Sequence, residues 1–467
     1  MYKLTVEEIS KAVNASFTLG DKKKIINGVS TDSREISKGY LFVAIKGERF
    51  DGHNFIQQAV SMGADAVITS EEIQTDKVCI IKVDDTIKAY GMLGSFIRSK
   101  FPKPVISVTG SVGKTSTCNM IASAIGCEAK VLVPEKNFNN HIGVPNTLLK
   151  LDDSYDYSVL EMGMNDFGEI AYLSELAEPN IAVITNIGIS HIGQLKSKQN
   201  ILKAKLEIIQ GMDRKKGLLL LNGDDGLLRG VKGLLDIRHI YFGTEEGNDY
   251  TAYNIRKYKN GKPGYNIKIN NREYEVKLNV PGYHMVYNSL AALAVARELN
   301  IPIEKAIEGV LNFSPKQQRM EIKKIGNGVI INDTYNAAPE SMEAALSVLS
   351  DIAEGRRKVA VLADMLEMGS FSEDAHRQLG ISCVEHGVDI LICMGEFRKQ
   401  ISEGAVKAGM NVNNIYLCNN HNDLVDLLNI VVKKDDAVLV KGSRAMKMEI
   451  GVETIIEMWR EGEVSVE

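Results

Sequence analysis

Residues 108–116 read Val-Thr-Gly-Ser-Val-Gly-Lys-Thr-Ser, between an apolar stretch at 105–108 and a helical pattern over 117–125. A strand, a glycine loop and a helix start, in that order, form a cradle for phosphate. Gly110 and Gly113 free the backbone of Ser111, Val112 and Ser116 to turn N–H groups inward. Lys114 brings a positive charge to the outer phosphates, and the Thr115 hydroxyl offers an oxygen to Mg²⁺. Only Ser111 and Val112 separate the two glycines, so the strict GxxxxGK[ST] spacing is not met. The strand-to-helix setting of Gly-Lys-Thr still points to binding of a nucleoside triphosphate, ATP or GTP.

Further reactive side chains follow strand-like segments. Glu161 ends the run 157–160, where an acid beside a phosphate loop can share Mg²⁺ with Thr115. His191 follows the run 181–185; a lone histidine in such a place serves packing more often than catalysis. Lys205 shares a helical face with Ile201 and Ile208, a pattern that by itself reads as a solvated helix lysine. Arg319 is a cation within reach of a γ-phosphate, and Asp333 ends what reads as the first strand of the last segment, where an acid can touch ribose or orient a nucleophile. Arg444, in Lys-Gly-Ser-Arg after another strand, suits a ligand carboxylate. Asp364, Glu367 and Gly369 follow one strand as Arg444 follows another, so both sets are expected at one sheet edge, facing the nucleotide.

These residues need a scaffold, and the hydrophobic pattern supplies one. Apolar strands alternate with helical stretches along most of the chain, which predicts an α/β fold with parallel sheets and ligands at the carboxyl ends of the strands. Three domains are expected: a small α/β domain over 1–84, a central phosphate-loop domain over 85–314, and a Rossmann-like domain over 315–467 without a phosphate loop. Polar alternating strands over 250–280, turning at Asn260-Gly261 and Asn270-Asn271, are expected to interrupt the βα rhythm of the centre. A turn is expected over residues 46–53.

The net charge of −5 gives no footprint for nucleic acid. No apolar run approaches the roughly 20 residues that span a bilayer, and the first residues lack a signal-peptide pattern. None of the six cysteines forms a Cys-x-x-Cys pair, so free thiols in a reducing cytoplasm are expected in place of zinc or disulfides. A nucleotide switch or motor is a rival reading, but no Asn-Lys-x-Asp base-reading motif is present for a GTPase.

Taken together, the ordered segments resemble the Mur ligases over essentially the whole chain. They include Ser30-Thr-Asp-Ser-Arg34, Phe42-Val-Ala-Ile-Lys-Gly47 with Asp51-Gly-His53, the phosphate loop, Asn137-Phe-Asn-Asn140 and Leu160-Glu-Met-Gly163. Ala204-Lys-Leu-Glu207, Arg319-Met-Glu321, Asp333-Thr-Tyr-Asn336, Ala363-Asp-Met-Leu-Glu-Met-Gly369 and Lys441-Gly-Ser-Arg-Ala445 continue the match. Met285 and Ala338 stand where the family often has asparagine. The resemblance implies a cytoplasmic, ADP-forming ligase that uses ATP and Mg²⁺ in peptidoglycan precursor synthesis. It implies D-alanyl-D-alanine as the amine and a UDP-N-acetylmuramoyl tripeptide as the acid, a monomer, and no membrane insertion; a related ligase with another acceptor is the alternative. Lys114, Glu161, His191 and Lys205 would be catalytic. Thr115 and Glu161 would hold one Mg²⁺, with His191 and a carbamylated Lys205 serving a second. Asn288, Arg319 and Asp333 would line the ATP site. Ser33, Arg34, Lys46 and Gly47 would hold the uridine diphosphate end, and Asn139 and Asn140 would face the muramoyl peptide.

Overall fold

A computed structural model describes residues 1–47, 50–73, 77–135 and 137–461. Its architecture is α/β throughout, with three larger sheets in chain order. Near the start, strands Gly28–Ser30, Tyr40–Val43, Ala64–Thr69 and Cys79–Lys82 run parallel, and Phe17–Leu19 pairs antiparallel at one edge. Of the turn expected over 46–53, Glu48 and Arg49 lie outside the described residues.

The central sheet has nine strands. Val105–Thr109 lies between Tyr157–Glu161 on one side and Ile181–Ile184 on the other, all parallel. Parallel strands buried on both faces read as continuous apolar runs, and Ile181–Ile184 and its parallel neighbour Leu218–Asn222 fit that pattern up to the final Asn222. Register pairs Glu161 with Val108 and Ile184 with Thr109, so the phosphate loop, Glu161 and the segment after Ile184 leave the sheet at the same edge. Residues 250–280 break the βα rhythm as antiparallel hairpins, as expected, yet stay within this sheet. Tyr250–Lys257 pairs parallel with Arg238–Gly243 and antiparallel with Pro263–Ile269, which pairs antiparallel with Arg272–Lys277, so the polar strands extend the sheet outward.

The last sheet orders its strands Glu321–Ile325, Gly328–Asp333, Ala437–Lys441, Lys358–Ala363, Ile390–Met394 and Ile415–Cys418. Asp333 therefore ends the second strand of this sheet and not the first. The preceding strand, Glu-Ile-Lys-Lys-Ile, is a half-polar antiparallel edge without the apolar run of a central strand. Register sets Asp333 opposite Lys441.

One helix boundary also shifts. The helix after the phosphate loop starts at Lys114, with Gly113 at φ 84° preceding it, so Lys114–Ser116 belong to its first turn. The helix bearing Lys205 spans Lys198–Leu206, capped by the Ser197 hydroxyl on Asn200 N–H, and ends in a short 3₁₀ turn over Glu207–Ile209.

Helix Thr86–Lys100, capped by the Asp85 carboxylate, packs against helices Gly143–Leu148 and Glu169–Ala177. Buried Arg98 fastens its end: Nε donates to Ala177 O at 2.7 Å and Nη2 donates to Glu178 O at 3.0 Å. One face of each sheet carries its own apolar cluster, while a fourth cluster runs continuously through all three regions, from Val6 through Leu160 to Leu439. No helix among the described residues is long and apolar enough to cross a membrane.

Candidate active site

A cavity of about 900 Å³ opens where the carboxyl edges of the central and last sheets face each other. The central region contributes Ser111 through Thr117, Asn139, Asn140, Glu161, His191 and Asn288; the last region contributes Arg319, Asp333, Glu367 and Arg444. Residues scattered over more than three hundred positions thus meet in one cleft.

The phosphate loop is held from outside. Gly110, at φ 149°, sits so close to Thr185 that a Cβ would overlap the Thr185 hydroxyl. That hydroxyl donates to Val112 O at 2.6 Å, and Asn186 Oδ1 accepts from Val112 N–H at 3.1 Å. Lys114 Nζ folds over the loop to donate to Gly110 O at 2.9 Å. Burial lowers the Lys114 pKa, with the negative Glu161 opposing. Thr115 Oγ1 donates to Glu161 Oε2 at 2.5 Å, while Asn139 Nδ2 donates to Glu161 Oε1 at 2.8 Å. A hydroxyl and a carboxylate so close, beside a triphosphate cradle, match the hard oxygen donors that Mg²⁺ takes. Asn288 Oδ1 accepts from Thr117 Oγ1 at 3.0 Å, which ties helix His284–Glu298 to the helix that follows the phosphate loop.

Lys205 is 2% exposed, and it does not line the cavity. No hydrogen bond or ion pair reaches its amine among the described residues. Burial, and then the charge of Lys114, push its pKa well below the ordinary lysine value. A neutral buried amine is the form that adds to CO₂, and the resulting carbamate would supply anionic oxygen of the kind Mg²⁺ takes. His191 Nδ1 lies 2.7 Å from Glu367 Oε2.

On the opposite wall, the Arg319 guanidinium stacks 3.8 Å from the Tyr335 ring centroid and reaches Asn137 Oδ1 at 3.4 Å. Asp333 is already engaged: Oδ1 accepts from Met320 N–H at 3.0 Å, and Oδ2 accepts from Lys441 Nζ at 2.5 Å. Arg444 pairs with Glu449 at 3.0 Å and keeps about half of its side chain in solvent.

Several expected residues lie elsewhere or do other work. Asp364 does not line the cavity; its carboxylate accepts from Glu396 N–H at 2.7 Å and Phe397 N–H at 3.1 Å, capping a neighbouring loop. Asn140 lines the cavity, but its Oδ1 accepts from Gly143 N–H at 2.9 Å to start a helix. Ser33, Arg34, Lys46 and Gly47 belong to the first sheet region and are not part of this cavity. There Ser33 Oγ donates to Gln58 Oε1 at 2.9 Å, Arg34 pairs with Asp32 at 2.6 Å and Lys46 pairs with Asp51 at 3.2 Å. Sequence reasoning missed Glu340, Tyr335, His284 and Lys441 as cavity residues. Lys441 carried a signal as a cation in the last position of an apolar strand, and Tyr335 stood within the matched segment Asp333-Thr-Tyr-Asn336.

Comparison with known proteins agrees along the whole chain. The Mur ligase family catalytic domain model matches residues 25–100, the Mur ligase middle domain model 108–296, and the Mur ligase glutamate ligase domain model 318–444. A Bacillus subtilis protein named UDP-N-acetylmuramoyl-tripeptide–D-alanyl-D-alanine ligase is 36% identical, with 98% of this chain and 99% of that one covered. The Escherichia coli protein of the same name is 32% identical over the same shares. Among solved structures, MurF from Acinetobacter baumannii superposes with a TM-score of 0.90 at 29% identity, covering 98% of this chain and 99% of that one. MurF from Thermotoga maritima in complex with ADP gives 0.82 at 27% identity, covering 93% and 98%. Site geometry, family models and full-length relatives agree: this chain belongs to the Mur ligase family.

Proposed function

We propose that the protein joins D-alanyl-D-alanine to a UDP-N-acetylmuramoyl tripeptide in peptidoglycan precursor synthesis, with ATP cleaved to ADP and phosphate. The observation that carries this reading is the cavity itself, in which a phosphate loop faces cations of a second sheet that has no phosphate loop. A nucleotide-only device needs no such opposite wall. A ligase needs it, because two organic substrates must meet at the γ-phosphate.

The chemistry follows from charge. The tripeptide carboxylate must approach a triphosphate, so two anions meet. Lys114 and the inward N–H groups of the loop offset that repulsion, and Arg319 adds a cation from the other wall. Carboxylate oxygen bonds to the γ-phosphorus and ADP leaves, giving an acyl phosphate. The neutral amine of the dipeptide then adds to the acyl carbon, phosphate departs from the tetrahedral intermediate, and the amine proton passes to solvent. Thr115 and Glu161, with His191 and carbamylated Lys205, would hold Mg²⁺, which supplies Lewis-acid charge at phosphate oxygens. Asn139, which already orients Glu161, and Asn140 face the muramoyl peptide. Asn288 and Asp333 line the nucleotide, with Lys441 fixing Asp333. Arg444 takes the dipeptide carboxylate. Ser33, Arg34, Lys46 and Gly47 take the uridine diphosphate end, at a distance from the chemistry that suits a long substrate.

The reading divides the chain at 84 and 314, since the helix that begins at Thr86 packs on central helices. The working unit is a monomer in the cytoplasm. The test is phosphate release from ATP with UDP-N-acetylmuramoyl tripeptide, with and without D-alanyl-D-alanine. Strong stimulation by the dipeptide supports the reading; stimulation only by another amine assigns a different acceptor.

A further inference from the structure

One loop of the central region meets the last region at three points. Residues 186–193 follow strand Ile181–Ile184 and lean on the phosphate loop, where Gly188 N–H donates to Ser111 Oγ at 2.9 Å. From across the cavity, Glu340 Oε1 accepts from Ile189 N–H at 2.8 Å. Its other carboxylate oxygen is buried without a hydrogen-bond partner among the described residues, and a Cβ at position 188 would run into the carboxylate. Two residues further on, His191 Nδ1 meets Glu367 Oε2 at 2.7 Å.

The third point is backbone on backbone. Gly193 N–H donates to Glu367 O at 3.2 Å. A Cβ on Gly193 would stand 2.7 Å from Glu367 O and 2.8 Å from Gly369 N, and one on Gly369 would stand 2.8 Å from Gly193 Cα. Only glycines allow this approach. His191 and Glu367 themselves hold positive φ angles, 62° and 66°. Side-chain-bearing residues persist there when surrounding contacts over-determine them, as at ligand clamps and switch regions.

We infer that this seam is a dock between the two regions, and that Glu367 is a positioning residue that orients His191 only when the dock is made. With the ring proton on Nδ1 donated to Glu367, Nε2 is left with its lone pair free for a ligand. The role of His191 as a ligand rests on the proposed function; the dock does not. Because Gly188 also bonds Ser111, the seam ties arrival of the last region to the shape of the phosphate loop.

The test uses the full chain and three variants, Gly193→Ala, Glu367→Ala and Glu367→Gln. Small-angle scattering with ADP and Mg²⁺ reads compaction, calorimetry reads ADP affinity, and steady-state assays read kcat and KM. At saturating ADP, Gly193→Ala is expected to stay more extended than wild type, because the added methyl blocks the seam. Glu367→Ala is expected to lose about tenfold or more in kcat, as partners that orient a ligating histidine do, with little change in KM for ATP. Glu367→Gln keeps an oxygen that accepts from Nδ1–H and is expected to recover most of that kcat. Wild-type compaction and kcat in Gly193→Ala overturn the dock. Equal loss in Glu367→Gln and Glu367→Ala overturns the positioning role, since charge and not ring orientation would then matter. Failure of the ligase reading itself shows differently, as a wild-type protein that compacts with ADP but releases no phosphate with the tripeptide and dipeptide.

Discussion

Two buried lysines, near enough for the charge of one to act on the other, answer burial in different ways. Lys114 turns its ammonium onto loop carbonyls, whereas Lys205 has no such partner among the described residues and is pushed toward the neutral amine. Lys205→Ala is therefore expected to be almost inactive, with partial rescue by added formate or acetate, whose carboxylate replaces the carbamate oxygens. Phosphate-release rates with and without formate check this, and full activity of the variant rules out the role. Arg444 is expected to act on the acceptor. Arg444→Ala should raise KM for D-alanyl-D-alanine by about tenfold, the ~1.4 kcal/mol of one charge-assisted contact, while KM for ATP holds. A rise in KM for ATP alone would move Arg444 to the nucleotide. His284 gives a pH signature. Burial pushes its pKa down to about 4, although Asp333 pulls the other way. The unfolded chain then binds more protons between about pH 4 and the ordinary histidine pKa of about 6.5. Its contribution to stability is whole above 6.5 and is lost as pH falls toward 4. Urea unfolding should show that His284→Gln loses about 2 kcal/mol less than wild type between pH 7.5 and pH 5.

At the scale of elements, the phosphate loop depends on a neighbouring strand end. Thr185 fills the space beside Gly110 and bonds Val112 O, so the loop is shaped by the strand next to it as well as by its own glycines. Gly110→Ala must push Thr185 aside. Loss of ADP affinity by at least about tenfold is expected, the scale of one displaced hydrogen-bond network, with the circular dichroism spectrum retained. Calorimetric titration with ADP checks this. The same pair shows how far the sequence could be read. Strand, glycines and Lys114 announce themselves by local order, and so do Glu161 and Arg444, which follow apolar strands. What Thr185 does is invisible without the register that sets Ile184 opposite Thr109. Glu340 follows a proline at a helix start, a common pattern with no chemical content until the helix is docked. Asp364 looked like Glu367 in sequence, yet one caps a loop and the other faces the cavity, because three residues of turn separate their directions. The strands over 250–280 were legible as hairpins, but their attachment to the sheet edge at Arg238–Gly243 is a long-range pairing that local alternation does not encode.

At the scale of the molecule, each sheet keeps a private apolar face, and the remaining faces share one continuous cluster. Ligand-binding energy should then spread beyond the central sheet. ADP at 100 times its Kd adds about 2.7 kcal/mol to unfolding, and differential scanning calorimetry is expected to show the main transition moving as one. Movement of a single component, with the rest unmoved, would show that the shared cluster does not couple them. Arg98 bears on a practical matter, the making of fragments. The helix it ends is anchored through Ala177 O and Glu178 O. A piece cut after residue 100 would carry away a guanidinium stripped of those two carbonyls, together with the bared apolar side of Leu93 and Ile97, both fully buried in the intact chain. Such a piece should be sticky and poorly behaved in solution, whereas one ending at residue 84 leaves the helix at home and should be the better candidate for isolated study.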